Sequence, residues 1–350
     1  MKKTVLKGKT LQELKEYFTE IGEKPFRGEQ LFDWMYHYLS DDFDEMLNLP
    51  KSLRERLKAE TELKTLELTN TSISGSEGTV KLLLKTGHDN LIECVVIPEE
   101  KRVTLCVSTQ VGCPLDCKFC ATGLMGYKRN LTAGEIFDQY AMAKKIFERD
   151  ITNIVYMGMG EPLLNYNATV KSLELFAGRL NKGISLKKIT VSTAGIAPRI
   201  KALADTGLRP KLALSLHSCF EDIRTKIMPV NGKYPLKENI EAIEYYLRKT
   251  NGKITYEYTM LAGINDRDED IKALAKLCRR MPSKVNLIPF NSVEHVHPEG
   301  FSGQLRPTPK WRIEEFAERL RDLGTTVMIR DTQGDEIAAA CGQLAAVVIN

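Results

Sequence analysis

Residues 104–123 read TLCVSTQVGCPLDCKFCATG. Thr104–Ser108 has the short apolar character of a buried strand. Cys113, Cys117 and Cys120 follow it with the spacing C-x3-C-x2-C. Thiolates are the ligands that iron–sulfur clusters use. Three of them hold three irons of a 4Fe–4S cube and leave the fourth open to a ligand that is not protein. Structural zinc would want a fourth ligand nearby. His88 lies well upstream, and no His or Cys follows within ten residues of Cys120.

Downstream of this stretch, strand and helix signals alternate. Strands are predicted at Thr104–Ser108, Asn153–Met157, Lys188–Ser192, Lys211–Leu216, Ile254–Met260, Lys284–Pro289 and Thr325–Ile329. Amphipathic stretches separate them: Ala133–Phe147, Ala168–Leu180, Ile196–Asp205, Leu236–Arg248, Asp270–Met281 and Pro309–Leu323. Alternation of this kind implies right-handed βαβ units and a parallel sheet. The number of units predicts an α/β fold with a partial or closed (β/α) barrel. Ligands gather at the carboxyl ends of such strands, which is where the cysteines fall.

Upstream, residues 63–102 carry short apolar or alternating runs broken by Gly, Asn and Pro, and predict a small antiparallel β extension. Residues 1–62 read as helical. Leu11, Leu14, Tyr17, Phe18 and Ile21 have helical spacing with a stop at Gly22, a second helix covers Gly28 to Leu39, and a third follows Pro50. The expected organisation is therefore 1–62 helical, 63–102 antiparallel and 103–350 barrel.

The 350 residues are 43% hydrophobic and 27% charged, which excludes disordered, collagenous and coiled-coil classes. No apolar run approaches the ~18–20 residues of a membrane span. The basic start MKKTVLKGKTLQEL has no apolar stretch behind it, so no secretory signal and a cytoplasmic location are expected. The net charge of +4 permits a nucleic-acid partner without demanding one.

Other unusual residues also sit at strand ends. GMGEPL, Gly158 to Leu163, follows the second barrel strand. Glycine lets backbone approach a ligand closely, and Glu161 after Gly160 can accept from an amine; the plain alternative is a turn with a capping acid. VSTAG follows the third strand, and Ser192 is suited to a ribose or a carboxylate. SLH, comprising Ser215, Leu216 and His217, follows the fourth. Asn291 follows the sixth and is suited to an adenine or a ribose.

The cysteine spacing, with Phe119 just before Cys120, resembles the radical S-adenosylmethionine superfamily. STQVGCPLDCKFCATG, NLTAGEI, YMGMGEPLLN, VSTAG, LALSLH and DEIAAACGQL together resemble the RlmN/Cfr family over essentially the whole chain. PFRGEQLFDWMYHYL and LPKSLRERL resemble its RNA-binding accessory domain. That resemblance implies a 4Fe–4S cluster on Cys113, Cys117 and Cys120. It implies S-adenosylmethionine, two per turnover, held by Gly160, Glu161, Ser192, Ser215, Leu216, His217 and Asn291. It implies methylation of an adenine of 23S rRNA at carbon 2, with adenine 3′ to the anticodon of some tRNAs as a further target. Carbon 8 is the alternative in the same family; a non-catalytic iron–sulfur or zinc RNA-binding protein is the alternative outside it. An electron donor such as flavodoxin or ferredoxin is implied as well.

By the same resemblance Cys341 carries the methyl group, because the target carbons are not nucleophilic. Cys106 resolves the protein–RNA adduct, leaving a transient disulfide with Cys341. Glu93, in LIECVV, is the candidate proton acceptor, competing with Cys106 for that role and with an outward-facing strand position. Cys94, Cys219 and Cys278 are expected in the core. Residues 182–211 hold seven basic side chains against Asp205; they suit either phosphate contact or a solvated helix face. Trp34, Tyr36 and His37 either stack on bases or pack in the core.

Overall fold

The computed structural model describes residues 3–75, 78–178 and 183–346. The expected helix end at Leu180 and the basic Lys182 lie outside them. One ten-stranded sheet organises the chain, and its spatial order follows the sequence: β1 Leu66–Ile73, β2 Val80–Thr86, β3 Leu91–Pro98, β4 Val103–Cys106, β5 Asn153–Tyr156, β6 Ile189–Thr193, β7 Lys211–Ser215, β8 Ile254–Met260, β9 Ser283–Pro289 and β10 Val327–Ile329. Strands β1 to β4 pair antiparallel, and β4 to β10 pair parallel. Strand β10 ends the sheet among the described residues, so the barrel is partial rather than closed.

Helices α1 Leu11–Glu20, α2 Phe26–Tyr36 and α3 Lys51–Glu60 precede the sheet. Between and after the parallel strands come α4 Ala133–Ile146, α5 Tyr166–Ala177, α6 Ala197–Asp205, α7 Glu221–Ile227, α8 Leu236–Thr250, α9 Asp268–Cys278 and α10 Lys310–Asp322. Two starts are fixed by capping boxes, Thr10 with Glu13 and Thr132 with Glu135. Helix α7 and a small hairpin of Gln110–Gly112 with Tyr127–Asn130 are additions to the expected elements.

Barrel strands buried on both faces read as apolar runs. In β8, Tyr258 lies under α10, its ring 5.9 Å from that of Phe316. Period-two alternation then turns Thr255, Glu257 and Thr259 towards the barrel interior. The helical segment before the sheet docks on α4. Lys7 Nζ pairs with Asp138 at 3.2 Å with both side chains buried, and a Cβ on Gly8 would lie 2.6 Å from the Gly134 nitrogen. Tyr36 is part of this joint, edge-on to Phe137 at 4.9 Å, so it packs in the core and does not offer a base a stacking face.

Candidate functional site

The loop after β4 turns tightly. Cys120 N–H donates to the Cys117 carbonyl at 3.1 Å and Cys113 N–H to the Gly126 carbonyl at 2.9 Å. A Cβ on Gly123 would lie 2.9 Å from the Cys117 nitrogen, so only glycine lets the short helix Ala121–Leu124 fold back on the loop. Burial raises all three thiols above their ordinary range, Cys113 to about 12, with the neighbouring thiols adding to the effect on Cys113 and Cys117. No three His, Cys, Asp or Glu side chains among the described residues close on a single-ion cage. A cubane cluster does not need that, since each thiolate binds a different iron.

The Gly158–Leu163 turn lies against this loop. A Cβ on Gly160, where φ is +96°, would meet the Gln110 Cβ at 2.4 Å. The glycine therefore answers to a neighbouring side chain and not only to a ligand. Glu161 is buried. It accepts from Leu163 N–H at 2.9 Å, Thr193 Oγ1 at 2.8 Å and Ala194 N–H at 2.8 Å, and burial raises its carboxyl. The carboxylate ties the end of β5 to the end of β6. Ser192 is buried within β6, one residue before Thr193.

At the end of β7 the chain enters a left-handed conformation at His217, φ +53°. Its Nδ1 accepts from Thr259 N–H at 2.9 Å, which places the proton of the neutral ring on Nε2. Burial, with Arg224 nearby, lowers its pKa to about 3. The ring meets Phe119 edge-on at 4.5 Å, so His217 and the cysteine loop are in direct contact. Leu216 is buried, and its carbonyl and that of Ser215 both accept from Arg224.

Residues 335–346 cross the mouth of the barrel and are held mostly by their backbone. Ala121 N–H donates to the Gly342 carbonyl at 2.7 Å, Thr122 Oγ1 to the Leu344 carbonyl, and Asn291 Nδ2 to the Cys341 carbonyl at 3.1 Å. Gln343 donates to the Ser292 carbonyl and to Asp335. Beneath them lies a cavity of about 80 Å³ whose lining includes Cys106, Cys120, Asn291, Arg330 and Cys341. Cys341 is exposed and Cys106 buried. Burial lifts the Cys106 thiol well above its ordinary value, and the neighbouring Cys341 adds to it. Protein packed around the mouth raises Cys341 too, opposed by Arg330. Of the cysteines expected in the core, Cys94 is buried, and Cys219 and Cys278 are half-buried.

Glu93 faces inward, not outward. Its Oε1 pairs with Lys81 Nζ at 3.1 Å, and its Oε2 accepts from Ala345 and Ala346 N–H at 2.9 and 3.0 Å. Lys81 also donates to the Ala338 carbonyl. This carboxylate anchors the segment that carries Cys341, and cation and amides hold its lone pairs. The sequence reading lacked Lys81, Arg224 and Glu257. Glu257 is buried, its carboxyl raised to about 7 by burial, with Asn286 Nδ2 donating to both oxygens.

The basic segment divides. Lys187, Lys188, Arg209 and Lys211 are exposed at the amino ends of β6 and β7, away from the mouth.

Fold and site together define a radical S-adenosylmethionine protein. A model of the radical SAM superfamily matches residues 107–278, and one described as the ribosomal RNA large subunit methyltransferase N-terminal domain matches residues 4–63. The structure of a radical SAM methyltransferase from Sphaerobacter thermophilus superposes with a TM-score of 0.91 at 38% identity, covering 98% of this chain and 100% of that one. This chain belongs to the RlmN/Cfr family of radical SAM methyltransferases. Two remoter structures carry no weight on chemistry. A spore photoproduct lyase gives 14% identity and a TM-score of 0.47 over 94% of this chain and 98% of its own. A domain of a pyruvate-formate lyase-activating enzyme from Bacteroides vulgatus gives 16% and 0.39 over 51% and 99%.

The radical SAM domain implies a 4Fe–4S cluster and S-adenosylmethionine. The chain's donors fit them: three adjacent thiols on one tight loop, with Glu161, His217 and Asn291 around it. No helix among the described residues is long and apolar enough to cross a membrane.

Proposed function

We propose that this methyltransferase modifies carbon 2 of an adenine in 23S rRNA, using Cys341 as methyl carrier and Cys106 as resolving thiol. One observation carries the reading. Cys341, near the end of the chain, and Cys106, at the end of the first barrel strand, line one cavity together with Cys120 of the cluster loop. A protein that only binds RNA has no use for that convergence. The large-subunit rRNA target and the RlmN branch are supported by the family model matched at residues 4–63.

The bound cluster supplies the electron that cleaves S-adenosylmethionine. Cys341 accepts a methyl group from one S-adenosylmethionine and presents it, as a thioether, to the radical made from a second. The thioether carbon, having lost a hydrogen atom, bonds to the adenine. The radical adduct gives up its ring proton and one electron, which would return to the cluster. Cys106, as thiolate, then attacks the Cys341 sulfur; the sulfur–carbon bond breaks with its electron pair left on the carbon, which takes a proton to become the methyl group. A Cys106–Cys341 disulfide remains, which in a reducing compartment is short-lived. Glu93 or Cys106 takes the ring proton; Glu93 does so once the carrier segment has released it. Ser192, Ser215 and Leu216 border the cofactor. The proposed setting is the cytoplasm, with flavodoxin or ferredoxin as electron donor and tRNA as a second substrate.

The test is anaerobic reaction of reconstituted protein with reductant, S-adenosylmethionine and unmodified 23S rRNA fragments or tRNA, followed by nucleoside mass spectrometry. A 2-methyladenosine peak is expected. An 8-methyladenosine peak overturns the regiochemistry, and no methyladenosine despite cofactor cleavage overturns the substrate.

A further inference from the structure

Arg224 heads the fully buried side chains by size among the described residues. Its Nε donates to the Leu216 carbonyl at 3.1 Å. Its Nη2 donates to the Ala194 carbonyl at 2.6 Å and the Ser215 carbonyl at 3.1 Å, and its Nη1 to the Asn231 side chain. All four acceptors are neutral. Glu221 joins this network only through Asn231, whose amide donates to it at 2.6 Å, and Glu161 only through the Ala194 N–H. Burying a full charge against neutral groups is costly, and buried charges are normally paired. The fork of N–H donors accounts for the four acceptors, and none of them offsets the charge.

The structure points to where the paired anion sits. Helix α7, which carries Arg224, ends at Ile227, and the Ile227 carbonyl accepts from Lys118 N–H at 2.9 Å. Lys118 follows Cys117. The guanidinium is thus mounted on the helix stitched to the middle of the cysteine loop, and its acceptor Leu216 precedes His217, whose ring meets Phe119 of the same loop at 4.5 Å.

We propose that Arg224 is the built-in counter-charge of the cysteine loop and makes the cluster held there easier to reduce. The proposal rests on the radical SAM reading above. One electron passing from an external one-electron donor to the cluster adds one negative charge beside Cys117. The fixed guanidinium favours that reduced state, and in a buried site such an interaction is weakly screened. Arg224 is a positioning and charge-setting residue; the carbonyls of Ala194, Ser215 and Leu216 fix its place.

The test uses the full chain, purified and reconstituted without oxygen, as wild type, Arg224→Lys, Arg224→Gln and Glu221→Gln. Iron content and visible absorbance report loading. Electron paramagnetic resonance then reports the reduced-to-oxidised ratio at a potential fixed with mediators and dithionite. Arg224→Gln is expected to lower that ratio about tenfold, which for one electron is ~59 mV. Glu221→Gln keeps an acceptor for the Asn231 amide but removes the negative charge that offsets the guanidinium, and is expected to raise the ratio about threefold, while Arg224→Lys stays near wild type. A loaded Arg224→Gln or Glu221→Gln protein with the wild-type ratio overturns the proposal. Where Arg224→Gln fails to fold, Glu221→Gln decides alone. A wild type that takes up no cluster instead overturns the reading of the site, and the proposal with it.

Discussion

Asn291 holds Cys341 by its backbone: the side-chain amide donates to the Cys341 carbonyl at 3.1 Å. The residue suited by its strand-end position to a nucleoside is engaged here with the proposed methyl carrier. Asn291→Ala should slow methylation of Cys341 by about fivefold to tenfold, the size of one lost hydrogen bond. Time-resolved intact mass of the protein measures it. An unchanged rate with weakened S-adenosylmethionine binding would mean that the amide serves the cofactor instead.

Cys106→Ala should trap a covalent protein–RNA adduct, seen as nucleic-acid absorbance that survives denaturing chromatography. Cys341→Ala should abolish methyl transfer and leave the iron–sulfur absorbance intact. Residual methylation in the second variant would refute the carrier mechanism.

Lys81→Met leaves the buried Glu93 carboxylate without its cation, and removing one partner of a buried pair costs about 3–5 kcal/mol. Urea unfolding should show that loss. Hydrogen exchange should rise at Ala345 and Ala346, whose amides Glu93 holds. A Lys81→Met protein as stable as wild type would mean that the pair does not form.

The Glu257 carboxyl is raised by burial to about 7, against roughly 4.3 when unfolded. Its contribution favours the folded state below the unfolded value and is lost as pH rises through about 7. Glu257→Gln should therefore gain stability relative to wild type between pH 5 and pH 8, read from urea midpoints at both. An equal difference at the two pH values would show that Glu257 ionises normally.

The parallel sheet was readable because strands buried on both faces leave apolar runs, and every expected barrel strand lies within two residues of its observed ends. The cysteines, Glu161 and His217 were readable because they follow such strands. Arg224 was not, since an arginine in EDIRTKI looks like any solvated helical charge until the fold encloses it. Lys81 and Glu93 were hidden for a related reason. On an antiparallel strand a charge signals the wet face, and only the tail laid over that face turns it dry. Glu257 in ITYEYTM alternates with two tyrosines, and nothing local tells which set faces the helices. The barrel's openness depends on which strand β10 meets, which no single segment records.

The cavity under Cys341 measures about 80 Å³, whereas pockets that enclose small ligands run to roughly 300–1,000 Å³. A nucleotide and the folded-down tail cannot share that space, so under the proposed reaction they compete for it. The chain is then an inhibitor of its own substrate binding. Each ~1.4 kcal/mol that fastens the tail weakens apparent RNA affinity about tenfold. Loosening the tail should tighten RNA binding while slowing delivery of the methyl group, so affinity and turnover move in opposite directions.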